Sequence, residues 1–156
     1  DLSGFSCKMG YGDINVESLN THKAVLQNED GDINISDSTF QNLELSADLG
    51  DLKINDTILT DSQIEMMDGD VKAENISFSG KNEFTSDLGD ITLSIPKKTL
   101  STLSIEAEAS EINIPEELGN VMTDEDDNQL VNSENKAQNS LQIKNKDGDI
   151  KITVEK

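Results

Sequence analysis

The residues of this chain that could do chemistry are carboxylates, and they recur in a fixed tripeptide. It appears as Gly12-Asp13-Ile14, Gly31-Asp32-Ile33, Gly50-Asp51-Leu52, Gly69-Asp70-Val71, Gly89-Asp90-Ile91 and Gly148-Asp149-Ile150. A row of evenly spaced carboxylates suits two kinds of chemistry. Two of them facing each other across a cleft can cleave a glycosidic bond, one as acid and the other as base or nucleophile. Oxygen-rich turns can also hold calcium.

Neither chemistry finds its full complement of residues. A sugar site wants aromatic platforms beside the carboxylates, and the chain offers Phe5, Phe40, Phe78, Phe84 and Tyr11, with no Trp and no Arg. Glycan degradation is therefore the least favoured reading, and no catalytic residue is assigned. The stretches Asn28–Asp32, Met67–Asp70 and Asn145–Asp149 look like fragments of calcium loops. The helix-loop-helix pattern fails, because the first-position Asp and twelfth-position Glu are missing. The nine-residue calcium repeat fails on its period. Weak calcium binding at these corners is the one cofactor expectation, with no metal ligand assigned. Cys7 falls between Phe5 and Met9 on the inward register of a strand and reads as a small core residue. His22 is the sole histidine and has no partner for a metal pair.

The elements that must position these carboxylates follow from the spacing. The first four glycines stand 19 residues apart and the next step is 20. A period of this size marks a solenoid, one coil per repeat. Two and four residues after each Gly stand apolar side chains, as in Ile14/Val16, Ile33/Ile35, Leu52/Ile54 and Ile150/Ile152, with polar residues between them. Seven, five and three residues before each Gly a second alternating stretch appears, for example Leu43/Leu45/Ala47 and Leu141/Ile143/Asn145. Period-two alternation is that of a half-buried strand.

The expected fold is thus all-β: a parallel, β-helix-like solenoid of right-handed type, with about seven coils of roughly 19–21 residues and two main strands per coil. Thr39-Phe40, Ile58-Leu59 and Ile76-Ser77-Phe78 are placed to add a short third side. The series has a decayed member, Ser110-Glu111-Ile112, where the apolar residue survives and Gly does not. Coils are expected to stack in chain order, with the strand from Gly148 closing the last coil and its Glu155-Lys156 end lying on an exposed edge. One domain spans residues 1–156, interrupted by an irregular acidic excursion at about 115–140 that carries Asp124-Glu125-Asp126-Asp127. Leu118, Val121, Met122, Leu130 and Val131 would let that excursion dock on the solenoid or cover an end. Stacking would place the tripeptide Asp residues in a column, each accepting a hydrogen bond from turn backbone.

Charge narrows the partners. The net charge is −20, and every one of the 12 basic residues is Lys. Such a field repels nucleic acid and anionic headgroups and attracts cations and basic partners. No stretch approaches the roughly 20 apolar residues of a transmembrane helix, so no membrane insertion by this segment is expected. The chain starts at Asp1 without a signal peptide and reads as an excised segment, with an anchor or signal expected outside it.

Recurrent Gly-Asp-Ile/Leu/Val, each leading an alternating strand at 19–20-residue spacing, resembles the bacterial adhesin-like β-solenoid family catalogued as DUF4097. The resemblance covers nearly the whole chain, the excursion being its main departure. It implies an extracytoplasmic cell-envelope module, at the cell surface or membrane-anchored, that binds a protein or cell-wall partner without catalysis. The alternative is a regulatory envelope-stress domain engaging cationic ligands.

Overall fold

The computed structural model describes residues 2–96, 102–125, 128–132 and 139–155. The first coil runs through β1 (Phe5–Met9), β2 (Ile14–Glu17) and β3 (Asn20–Thr21). The second holds β4 (Ala24–Asp30), β5 (Ile33–Ser36) and β6 (Thr39–Phe40), and the third β7 (Leu43–Leu49), β8 (Leu52–Asn55) and β9 (Ile58–Thr60). The fourth holds β10 (Gln63–Asp68), β11 (Val71–Glu74) and β12 (Ser77–Ser79). Two-strand coils follow: β13 (Lys81–Leu88) with β14 (Ile91–Pro96), then β15 (Thr102–Ala109) with β16 (Ile112–Asn113). A single 3-10 turn (Glu116–Leu118) leads to β17 (Val121–Thr123) and β18 (Gln129–Asn132). The chain ends on β19 (Ser140–Asp147) and β20 (Ile150–Glu155).

These strands form three sheets along the stack, of nine, seven and four strands. The sheet of four is the short third side, complete in the first four coils. Its corner lies six residues past each Gly, where Ser18, Asp37, Asp56 and Asn75 take φ between 47° and 55°. Short polar side chains tolerate this left-handed conformation best, which explains Ser, Asp and Asn there.

The core is a set of columns. Cys7, Leu26, Leu45, Ile64, Phe84, Ile143, Ile105 and Val131 are successive partners across the large sheet. Ile14, Ile33, Leu52, Val71, Ile91, Ile150 and Ile112 do the same in the second. Phe40, Leu59 and Phe78 fill the third side, and Phe78 meets Phe84 edge-on at 6.0 Å. Each large aliphatic buried in this way contributes about 1.5–3 kcal/mol.

The coils do not stack in chain order. Strand β19 pairs with β13 on one side and β15 on the other, and β20 lies between β14 and β16. The C-terminal coil is thus inserted between the fifth and the sixth, and β20 is an interior strand instead of an exposed edge. Two local features favour this order. Without insertion, Asp87 and Glu108 would stand at the same offset in adjacent coils, with no cation between them, and like charges directly opposite are destabilising. Insertion puts Lys146 on Asp87 at 2.7 Å and Lys144 on Glu83 at 3.6 Å, with Glu106 as the residue opposite Lys144. The second feature is internal: Asn145 Nδ2 donates to the carbonyls of Gly89 (3.1 Å) and Gly148 (2.7 Å). In the sixth coil the corresponding residue is Ala107, which has no donor to offer.

The excursion covers one end. Strands β17 and β18 form an antiparallel pair, and β18 lies antiparallel on β15, burying Val131 beside Ile105. Asp126 and Asp127 of the acidic run lie outside the described residues. At the other end Phe5, Cys7, Met9 and Leu19 are only half-buried against the core, the described residues placing no coil over them.

Candidate interaction surface

Among the described residues, the repeated carboxylates, glycine packed on glycine and exposed apolar side chains meet at the Gly-Asp corner. Its inner wall is glycine on glycine. A Cβ on Gly50 would lie 2.4 Å from the carbonyl oxygen of Gly31, and its φ is +120°. Each later glycine of the column meets its neighbour in the same way, so the corner admits no side chain once a coil lies beneath it.

Just past this wall runs a ladder of carboxylates. Asp13 Oδ1 accepts from the Asp32 N–H at 3.0 Å, Asp32 from Asp51 at 2.9 Å, and Asp51 from Asp70 at 3.1 Å. Asp70 accepts from Asp90 at 2.9 Å, Asp90 from Asp149 at 2.8 Å, and Asp149 from Glu111 at 3.1 Å. The predicted column exists, and the donor is the same residue of the next coil instead of a group in its own turn. A carboxylate accepting a backbone N–H makes a charge-assisted bond. At coil spacing in water, the opposing repulsion between unit charges is only about 1 kcal/mol. The ladder therefore ties coils together even though it stacks like charges.

The decayed copy takes its place in this ladder, with Glu111 on the last rung. Residues 1–153 match the family model described as Toastrack DUF4097. The chain belongs to the Toastrack DUF4097 family. No curated protein and no solved structure matches it.

On the other flank of the corner the Toastrack domain carries a mixed column. Asp30 pairs with Leu49, Leu49 with Asp68, Asp68 with Leu88, Leu88 with Asp147, and Asp147 with Ala109. Acidic and apolar residues thus alternate strictly along the stack. Leu49 is 48% exposed and Leu88 46%, and Met67, one residue before Asp68, is 55% exposed. Tyr11 stands at the same offset in the first coil and is 82% exposed. The cation on this ridge is Lys146, whose pKa is raised by its hydrogen bond and charge pairing with Asp87, and further by Glu108.

The other candidates go elsewhere. Cys7 lies half-buried in the centre of β1, on the inward register. His22 is exposed, and its Nδ1 bonds Gln41 Oε1 of the next coil. Among the described residues no group of three or more His, Cys, Asp or Glu is arranged to hold a metal ion. In the corners that resemble calcium loops, the Oδ1 atoms of Asp32, Asp70 and Asp149 are engaged by backbone N–H groups. Open depressions lie on two of the sheets. One of about 190 Å³ lies over Val25, Glu44 and Gln63 on the large sheet, and two of about 210 and 230 Å³ lie along the Asp and Lys rows of the second sheet. Small-molecule sites typically occupy about 300–1,000 Å³.

The exposed apolar residues of the ridge escaped the sequence reading. Leu49 and Leu88 stand directly before Gly, where Asp30, Asp68 and Asp147 stand in other coils, and that contrast was the available signal. Their regular alternation exists only in the observed order of coils.

Proposed function

We propose that this Toastrack domain is a non-enzymatic module of the bacterial cell envelope, working outside the cytoplasmic membrane and binding a protein or cell-wall partner along its stacked faces. The observation that carries the reading is the surface itself: long regular rows of side chains stacked coil on coil, along which the described residues leave open depressions. A repetitive face of this kind suits an extended partner, as solenoid surfaces do. The envelope location rests on the resemblance. No helix among the described residues is long and apolar enough to cross a membrane.

The second reading, a regulatory domain that engages cationic ligands, is favoured by the acidic ridge at the Gly corner. The two are separated by biolayer interferometry of the immobilised domain against purified peptidoglycan sacculi and against polylysine, each at low and high salt. Cell-wall binding that survives high salt supports the first. Polylysine binding that fades as salt rises supports the second, because exposed charges are screened over about 10 Å at 0.1 M. Turnover of a polysaccharide that is lost on replacing a single ladder Asp would overturn both.

A further inference from the structure

Resting on the cationic-ligand reading, we infer that the ridge flanking the Gly corner binds an extended cationic polypeptide that presents apolar side chains at every third residue. Two independent features meet there. One is apolar exposure: Leu49, Met67, Leu88 and Tyr11 are four of the eight exposed large hydrophobic residues described, and all four lie within two residues before a corner Gly. Clustered exposed apolar groups mark interaction sites where scattered ones do not. The other is charge. Asp30, Asp68 and Asp147 separate the apolar positions, the carboxylate ladder runs along the far side of the corner, and Lys146 is already held by Asp87. The complementary partner is basic wherever the ridge is acidic.

Spacing selects the partner's conformation. Coils lie about 4.8 Å apart, so the alternating column repeats every two coils, at about 9.6 Å. A polyproline-type chain rises about 3.1 Å per residue and presents one face every three residues, at about 9.3 Å. Two turns of α-helix rise about 10.8 Å and slip out of step by more than 1 Å at each repeat. An extended chain running along the stack can therefore set an apolar side chain beside Leu49 and again beside Leu88. Its Lys or Arg residues then reach Asp30, Asp68 and Asp147. Each apolar group is flanked by two ion pairs, which gives order-dependent recognition in addition to net attraction.

The test is fluorescence anisotropy of a labelled twelve-residue peptide repeating leucine, lysine and proline, beside a scrambled peptide of the same composition. The expected result is at least a tenfold tighter Kd for the repeating order. Replacing Leu49→Ser together with Leu88→Ser should abolish that preference while leaving the scrambled peptide's affinity unchanged, and Asp68→Asn should weaken the repeating peptide and flatten its salt dependence. Circular dichroism confirms that these surface variants fold. Equal affinity for both peptides overturns the ridge proposal and leaves general cationic binding standing. Binding of neither peptide overturns the cationic reading as well, and a preference that survives the double leucine replacement moves the site off this ridge.

Discussion

Replacing Gly50 with alanine should cost far more than the same change at Gly12, although both occupy the same place in the repeat. Both take positive φ, +120° and +104°, so alanine at either pays for a conformation L-residues avoid, about 1–3 kcal/mol. Only Gly50 has backbone beneath it. Its added Cβ would sit 2.4 Å from the Gly31 oxygen and 2.6 Å from the Gly31 carbonyl carbon, both fixed in the column. At Gly12 the nearest atom among the described residues is the end of the flexible Met9 side chain at 3.4 Å. Forcing a methyl group into packed structure costs about another 1–3 kcal/mol. Gly50→Ala is therefore expected to lose about 2–6 kcal/mol and Gly12→Ala about 1–3, against a typical domain stability of about 5–15 kcal/mol. Urea unfolding followed by far-ultraviolet circular dichroism measures both, with the midpoint falling and the slope unchanged. Equal losses at the two sites would refute the account of the corner as glycine packed on glycine.

Further outcomes follow from the same geometry. Leu45→Asp or Ile64→Asp buries a charge in the central column and should unfold the domain, whereas Asn34→Asp on the outward face gives up one exposed hydrogen bond to Asn15 Oδ1 and should cost only about 1 kcal/mol; thermal melts compare the three. Lys144→Glu places a third acid between Glu83 and Glu106 and should lower stability by about 1 kcal/mol, with amide exchange in β19 and β15 accelerating first. The pKa of Lys146 is raised above its ordinary 10.5 by Asp87, so its stabilising effect is complete below that value and is lost as pH rises through the raised one. Stability measured across that alkaline range should fall less steeply in Lys146→Gln than in the native chain. Millimolar calcium should leave the melting temperature unchanged, since one oxygen of each corner carboxylate is already engaged by a backbone donor; a rise would show that the corners close around the ion.

The inward register was legible because packing forgives so little. Leu26, Leu45 and Ile64 are placed by simple alternation around a repeating Gly, and all three are buried. The short third side was legible as apolar residues at a fixed offset, but its corner was not singled out. Ser18, Asp37, Asp56 and Asn75 are ordinary polar residues in sequence, and only their shared positive φ shows that they turn the chain. The ladder was half legible: the column of Asp side chains followed from the period, while the donor from the next coil depended on the geometry of stacking.

What the sequence determined by itself was the coil: its length, its inward face, its glycine corner and its carboxylate. What only the tertiary structure decided was the order of the coils. The reason is that the inward pattern is nearly the same in every repeat, so any coil can lie on any other in the same register, and apolar columns such as Phe84, Ile143 and Ile105 are indifferent to the permutation. The choice falls to contacts that differ between coils. Lys146 on Asp87 and Asn145 across Gly89 and Gly148 join segments nearly sixty residues apart. That choice creates the alternating acidic and apolar ridge, a feature of neighbouring coils in space that no single repeat contains.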